Sequence, residues 1–332
     1  MVTLYLNEQE SIVKKQAEYL IVQYPDKHTV EVPLIKVSQV VVSGNVTLTT
    51  PALHTLLEAG IEVCFLSMYG QFRGRLSPPM AKNALVRCEQ YRAHFDAQRA
   101  LEIARACVKG KLENMRTMLM RANRSSQDAE ITAATLAMQT MIQQIPRTTT
   151  VGSLLGLEGN GSASYFAVFG KLLRDPMTFT RRRRRPPLDP INAMLSLGYT
   201  LLLQQVSSAI EMVGLDPYVG FLHQPRYGRP ALALDLMEEF RPIIADSVVL
   251  NIINRRMLTA QDFQEELGGA VYLRPEARKT FYARFEERLQ DEIQHPHFGY
   301  RTSYRRCMEL QVRLLGKWLT GEIPAYLPLN VR

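Results

Sequence analysis

Two hydrophobic periods divide the chain. Through the first eighty residues, apolar positions fall in short β-branched runs: Thr3–Leu6, Tyr19–Val22, Thr29–Leu34 and Gln39–Val42. Asn7, Pro25-Asp26 and Ser43-Gly44-Asn45 punctuate them as turn residues, so these runs predict strands. One helix interrupts them. Thr50-Pro51 sets an N-cap and a first-turn proline ahead of Leu53, Leu56 and Leu57, and Gly60 follows the end. Ile61–Leu66 and Gln71–Leu76 predict two more strands, paired across Tyr69-Gly70.

After Ser77-Pro78-Pro79 the period lengthens. From Asn83 to Ala122 there is no proline, and Leu101, Ala104, Val108, Leu112, Met115 and Leu119 recur at helical spacing. Further helices are predicted near 127–143, 152–174, 189–213, 230–256, 275–294 and 299–318. The fold class is therefore α+β: a small β domain over residues 1–80, then a larger all-α domain over 81–332. The proline-rich stretch 322–332 is expected to be mobile.

Composition narrows the function classes. Apolar residues at 46% and charged residues at 22% describe an ordinary globular chain and exclude disorder and collagen. No stretch reaches the 18 or so apolar residues of a spanning helix, and the first residues lack the pattern of a secretory leader, so no membrane partner is expected. Cys64, Cys88, Cys107 and Cys307 are widely spaced without a Cys-x-x-Cys pair, which fits a reducing cytoplasm and no zinc ribbon. The charge says more. Forty basic against thirty-two acidic residues leave +8, yet residues 1–80 carry six basic and seven acidic groups. The whole excess lies later in the chain and predicts a polyanionic partner there.

Two basic segments stand out. Nine Lys and Arg, Arg92, Arg99 and Lys111 among them, crowd residues 87–124 against four acidic residues, as either a solvated helix face or one that tracks phosphates. Arg181, Arg182, Arg183, Arg184 and Arg185 are consecutive; such a run repels itself unless an anion is near.

Candidate chemistry lies in three further segments. Leu155–Phe166 carries three glycines around Glu158, but no Gly-Lys-Ser/Thr closes a phosphate loop; small residues there suit close helix packing with Glu158 inward. His223 ends the apolar run Tyr218–Leu222 at a turn. In Arg229–Pro242, Asp235 and Glu238 stand three apart on one face of an apolar helix. Two like charges there either form an exposed acidic edge or need a cation between them, and a hard divalent ion would serve.

Taken together, four blocks resemble the Cas1 family of CRISPR-associated integrases and endonucleases. They are Gly-Leu-Glu158-Gly-Asn with Tyr165-Phe166, Arg-Pro-Pro-Leu-Asp189-Pro-Ile-Asn192 through Gly198-Tyr199, Gly220-Phe-Leu-His223, and Ala-Leu-Asp235-Leu-Met-Glu238-Glu239-Phe-Arg241-Pro242. They stand in the family's order over roughly 100 residues. The resemblance implies a β-sandwich-like N-terminal domain, a helical catalytic domain and a homodimer in a prokaryotic cytoplasm. It implies a Mg²⁺ or Mn²⁺ site at Glu158, His223 and Glu238, with Asp235 a further catalytic acid, although many relatives carry Asp where Glu238 stands. It also implies a small second adaptation protein, Cas2, and double-stranded DNA as partners, the DNA being both spacer precursor and CRISPR repeat. On charge, Arg92, Arg99, Arg181–Arg185 and Arg241 are the candidate DNA contacts. An imidazole must be neutral to ligate a cation, so activity is expected to fall at acid pH. A non-catalytic DNA-binding scaffold is the alternative, and a hydrolase of RNA or small phosphate esters a third reading.

Overall fold

A computed structural model describes residues 2–79, 81, 83–174, 177, 179–183, 186–266 and 268–331. The N-terminal strands are β1 (Val2–Leu6), β2 (Ile12–Gln16), β3 (Tyr19–Gln23), β4 (Thr29–Pro33), β5 (Val37–Ser43), β6 (Thr47–Leu48), β7 (Glu62–Leu66) and β8 (Phe72–Leu76), with α1 (Thr50–Glu58) between β6 and β7. They form two four-stranded sheets, ordered β1-β5-β7-β8 and β4-β3-β2-β6. In the first, β1, β5 and β7 run parallel and β8 is antiparallel. Strand β2 escapes sequence analysis because Ile12-Val13-Lys14-Lys15-Gln16 sends only Val13 fully inward; its pairing with β3 and β6 makes it a strand.

The middle sheet is covered on both faces. Val40 and Val42 join the small core with Leu6, Val63 and Leu56, whereas Val41, Cys64 and Leu66 point into the helical core. That is why Val40-Val41-Val42 is a continuous apolar run rather than an alternating one.

The helical region begins with α2 (Ala84–Phe95) and α3 (Ala97–Ser126). The long helix expected over 83–122 breaks at Asp96, whose extended backbone lets its carboxylate accept from the Gln98 and Arg99 N–H groups as an N-cap. Then come α4 (Ala129–Gln144), α5 (Val151–Phe169), α6 (Pro190–Val213), α7 (Ala231–Met237), α8 (Ser247–Asn254), α9 (Pro275–Gln290) and α10 (Tyr304–Leu319). Pro242 splits the single helix expected over 230–256. It lacks an N–H for the helical ladder, and a π-helical turn, Pro242–Asp246, separates α7 from α8.

This region is mostly helical, as the α+β reading expects, with two short hairpins that the all-α description of it lacked. Two hairpins of three-residue strands stand in it: β9 (Phe263–Glu265) with β10 (Val271–Leu273), and β11 (Glu292–Gln294) with β12 (Arg301–Ser303). Such strands are too short to print a period of two. Among the described residues no helix is long and apolar enough to cross a membrane.

Residues 322–331 also depart from expectation, since they are docked. Tyr326 and Leu329 are buried, and Asn114 of α3 donates to the Leu329 carbonyl at 2.7 Å and accepts from the Val331 N–H at 3.0 Å.

Candidate active site

The site is assembled from α3, α5, the turn before α7, and α7 with its continuation. Close approach of α3 and α5 comes first. A Cβ on Gly161 would lie 2.3 Å from the end of the Leu112 side chain, so α5 packs closely on α3 there and any larger residue would have to move that leucine. Gly156 and Gly159, in contrast, face open space. Helix contact brings Glu158, one turn before Gly161, onto Lys111, the residue before Leu112. The Lys111 ammonium is 2% exposed, ion-paired with Glu158 and 2.8 Å from Glu238 Oε2. Ser162 donates to the same Glu158 oxygen at 3.0 Å.

Glu238 is buried between two cations, with Arg241 Nη2 3.2 Å from its other oxygen. Burial by itself would push its carboxyl up, but Arg241, Lys111 and His223 outweigh that and hold it at about 2. Its Oε2 takes no aligned hydrogen bond among the described residues, so the lysine charge alone compensates it.

Asp235 shares the helix but not the task. It is fully buried, and its Oδ2 accepts from the Phe221 and Leu222 N–H groups at 2.6 and 2.9 Å. Its Oδ1 accepts from the His223 N–H at 2.9 Å and faces His223 Nδ1 at 2.7 Å. A carboxylate at Nδ1 fixes the orientation of the ring and leaves Nε2 as the nitrogen directed away from Asp235. Gly220 permits the approach, because a Cβ would lie 2.6 Å from Asp235 Oδ2. His223 also borders a cavity of about 330 Å³ lined by His94, Thr150 and Phe221.

Behind this lies a second polar group. Asp246 accepts from Tyr165 and Tyr199 at 3.0 and 2.7 Å, and both Arg182 and Arg241 stack over Tyr199. Burial raises the Asp246 carboxyl to about 6 despite these donors and cations. The folded state therefore favours its protonated form. Stability from this group is full below its ordinary 3.8 and is lost as pH rises through about 6. Asp246→Asn is expected to flatten that part of the melting-temperature profile; curves that stay parallel to wild type across this window would count against it.

The candidate DNA contacts scatter. Arg92 is exposed beside Glu89. Arg99 donates to the Leu319 carbonyl and lies over Trp318, so it holds α10 to α3. Arg241 is buried on Glu238. Arg181 and Arg183 are exposed, Arg182 bonds Asn192 and Ser196, and Arg184 and Arg185 lie outside the described residues. Arg182 and Arg241 do meet, on a cleft of about 930 Å³ that Arg75 and Arg278 also line, with Tyr69, Tyr199, Tyr218 and Tyr272. Arg278 is 4% exposed, and its Nε and Nη1 have no partner among the described residues.

Glu158, His223 and Glu238 are donors that suit a divalent cation, and the single ammonium between the carboxylates marks where positive charge is wanted. Among the described residues no three His, Cys, Asp or Glu side chains stand close enough together to hold a metal ion, so the two carboxylates about Lys111 are the core of the candidate site. Sequence analysis missed Lys111 as a site residue, though a signal existed: it lies three after Val108 and four before Met115, on the apolar stripe of α3 rather than its polar face.

Comparison with known proteins decides the family. The model of the family described as CRISPR associated protein Cas1 matches residues 4–287. The chain belongs to the Cas1 family. A CRISPR-associated endonuclease Cas1 of Thermus thermophilus is 38% identical over 99% of this chain and 97% of its own length. A Cas4 exonuclease/Cas1 endonuclease fusion of Geobacter sulfurreducens is 43% identical over 97% of this chain. This chain spans only 59% of that fusion and 55% of a second one, from Rhodospirillum rubrum. Among solved structures, a casposase bound to integration product superposes with a TM-score of 0.87 at 24% identity, covering 99% of this chain and 93% of that one. A Cas1 protein of Thermotoga maritima gives 0.83 at 24%, with 98% of each chain covered. A chain of a Cas6-RT-Cas1–Cas2 complex gives 0.83 at 26%, over 98% of this chain and 36% of that one. The Cas1 fold thus extends over nearly the whole chain.

Proposed function

We propose that this chain is a metal-dependent DNA integrase and endonuclease, which inserts new spacers into a CRISPR array by attack of a 3′-hydroxyl on a repeat-boundary phosphodiester. The observation that carries the reading is the pairing of Glu158 and Glu238 across Lys111, with Arg241, which also lines the arginine- and tyrosine-rich cleft, on Glu238 and with Asp235 on His223. Membership in a family whose curated relatives are named endonucleases supports it. Bound Mg²⁺ or Mn²⁺ would supply stabilisation of charge on the transferring phosphate and on the leaving 3′-oxygen. Glu158 and Glu238 would hold the ion through carboxylate oxygens and His223 through Nε2; an imidazole donor favours Mn²⁺ somewhat. Asp235 holds that imidazole in place through Nδ1. Arg241 keeps Glu238 ionised at its inner oxygen.

The cleft supports the substrate class. Guanidinium groups meet phosphates with parallel donors, and tyrosine rings stack on unpaired bases of any sequence. Arg278 supports it further, because a buried, unpartnered guanidinium asks for an anion. A structural neighbour from a Cas6-RT-Cas1–Cas2 complex supports a Cas2 partner, and the family resemblance supports a homodimer. Sedimentation of the purified chain would measure the latter.

The test is strand transfer. A labelled duplex with free 3′-hydroxyls is mixed with a repeat-bearing plasmid, the protein and its small partner, in Mn²⁺, Mg²⁺ or EDTA. Label joined to plasmid only with metal is the expected result. Tight DNA binding without joining or cutting in any metal would make the chain a scaffold instead. In the same assay Asp235→Asn is expected to lose on the order of 10–100-fold in rate, as removal of a carboxylate behind a ligating histidine does. A rate within threefold of wild type would show that His223 needs no such support.

A further inference from the structure

The Lys111 ammonium stands between Glu158 and Glu238, buried, and no other cation bridges them among the described residues. We propose that Lys111 is a resident counter-ion that holds the two carboxylates together before a divalent cation binds, and that it must leave its place for the ion to enter. This rests on the metal reading given above.

The geometry carries the argument. A dication ligated by both carboxylates lies about 2.0–2.6 Å from their oxygens, in the space where the ammonium now sits. Two like charges at that separation repel strongly in a buried site, so ion and ammonium exclude each other. Without either one, Glu158 would keep the Ser162 hydroxyl and Glu238 would keep Arg241, which among the described residues does not reach Glu158. Buried carboxylates that lose a partner are strongly destabilised. The chain therefore folds with a complete site in the absence of metal, and metal affinity is set by an exchange of one cation for another. Asp235 does not serve as counterweight, since backbone N–H groups and His223 already take both its oxygens.

Lys111→Met removes the charge and keeps the length. In metal-free buffer its melting temperature is expected to fall by on the order of 10 °C. Mn²⁺ should restore most of that loss while raising the wild-type value only slightly. By isothermal titration, Mn²⁺ should bind the variant at least about tenfold more tightly than wild type, since no ammonium has to be displaced. Equal affinity in both proteins overturns the exchange and leaves the metal site standing. Failure of both to bind Mn²⁺ overturns the metal reading and the exchange with it.

Should the variant not fold without metal, a measurement on wild type decides. The buried lysine ammonium gives a protected ¹⁵N-coupled resonance in NMR, assigned by its absence from Lys111→Arg. Saturating Mg²⁺ should remove or shift it. A resonance unmoved while Mg²⁺ binds would overturn the proposal.

Discussion

Glu158→Ala is expected to reduce strand transfer by on the order of 10³-fold, more than an outer-shell change costs. Glu158 is the one carboxylate of the cluster with appreciable exposure, at 20% of its side chain, so it can face both the ion and an incoming phosphate. Glu238, at 3%, cannot reach outward. Loss of Glu158 leaves Lys111 paired to Glu238 alone, and the fold should survive because that pair and Arg241 remain. The checking measurements are single-turnover joining and thermal melting on the same preparation. A large loss of joining with a melting temperature near wild type places Glu158 in the chemistry. His223→Ala is expected to behave alike, since its imidazole is held by Asp235 but holds up no other described element. Joining that persists within threefold in both variants would move the site elsewhere.

Deleting residues 326–332 is expected to cost about 5 kcal/mol of stability, a large share of the 5–15 kcal/mol typical of a folded protein. Leu329 is fully buried and Tyr326 nearly so, and each such side chain contributes about 2 kcal/mol by burial. The rest comes from Glu239. Its carboxylate accepts from the Tyr326 hydroxyl at 2.7 Å and from the Leu329 N–H at 2.5 Å, and losing such donors costs about 1–3 kcal/mol. A melting temperature at least about 10 °C lower should follow. Joining should fall as well, because Glu239 adjoins Glu238 and packs on Gly110, the residue before Lys111. Melting within about 2 °C of wild type would mean that this segment only rests on the surface.

Most of the element list was legible in the residues because it is local. The β5 and β7 runs, the Thr50-Pro51 helix start and the apolar stripe of α3 all carry their periods within a dozen positions. What escaped has a common cause. Strands β9 to β12 are three residues long and exist because a partner lies opposite. The break at Asp96 is one cap inside an otherwise helical pattern, and the π-helical turn follows one proline whose effect on the ladder depends on what packs around it.

For the site, the family resemblance implied Glu158, His223 and Glu238, and spacing placed Asp235 on the same helix as Glu238. The sequence left open what each of Asp235 and Glu238 touches; the fold puts the backbone turn at 221–223 on Asp235 and Lys111 with Arg241 on Glu238. Arg99 and Arg241 read as surface charge, yet one braces α10 and the other neutralises Glu238. A count of charges cannot tell an arginine facing solvent from one facing a carboxylate far along the chain.

By itself the sequence determined the succession of β and α elements, the basic excess after residue 80 and the donors a cation would need. Local periodicity and side-chain chemistry are properties of neighbours in the chain. Tertiary structure alone decided that Lys111 stands between Glu158 and Glu238, 47 and 127 positions away, that Asp235 bonds His223, and that Tyr326 and Leu329 lie against Glu239. Those are long-range contacts, fixed by the packing of helices far apart in the chain and by where buried charge can find a partner.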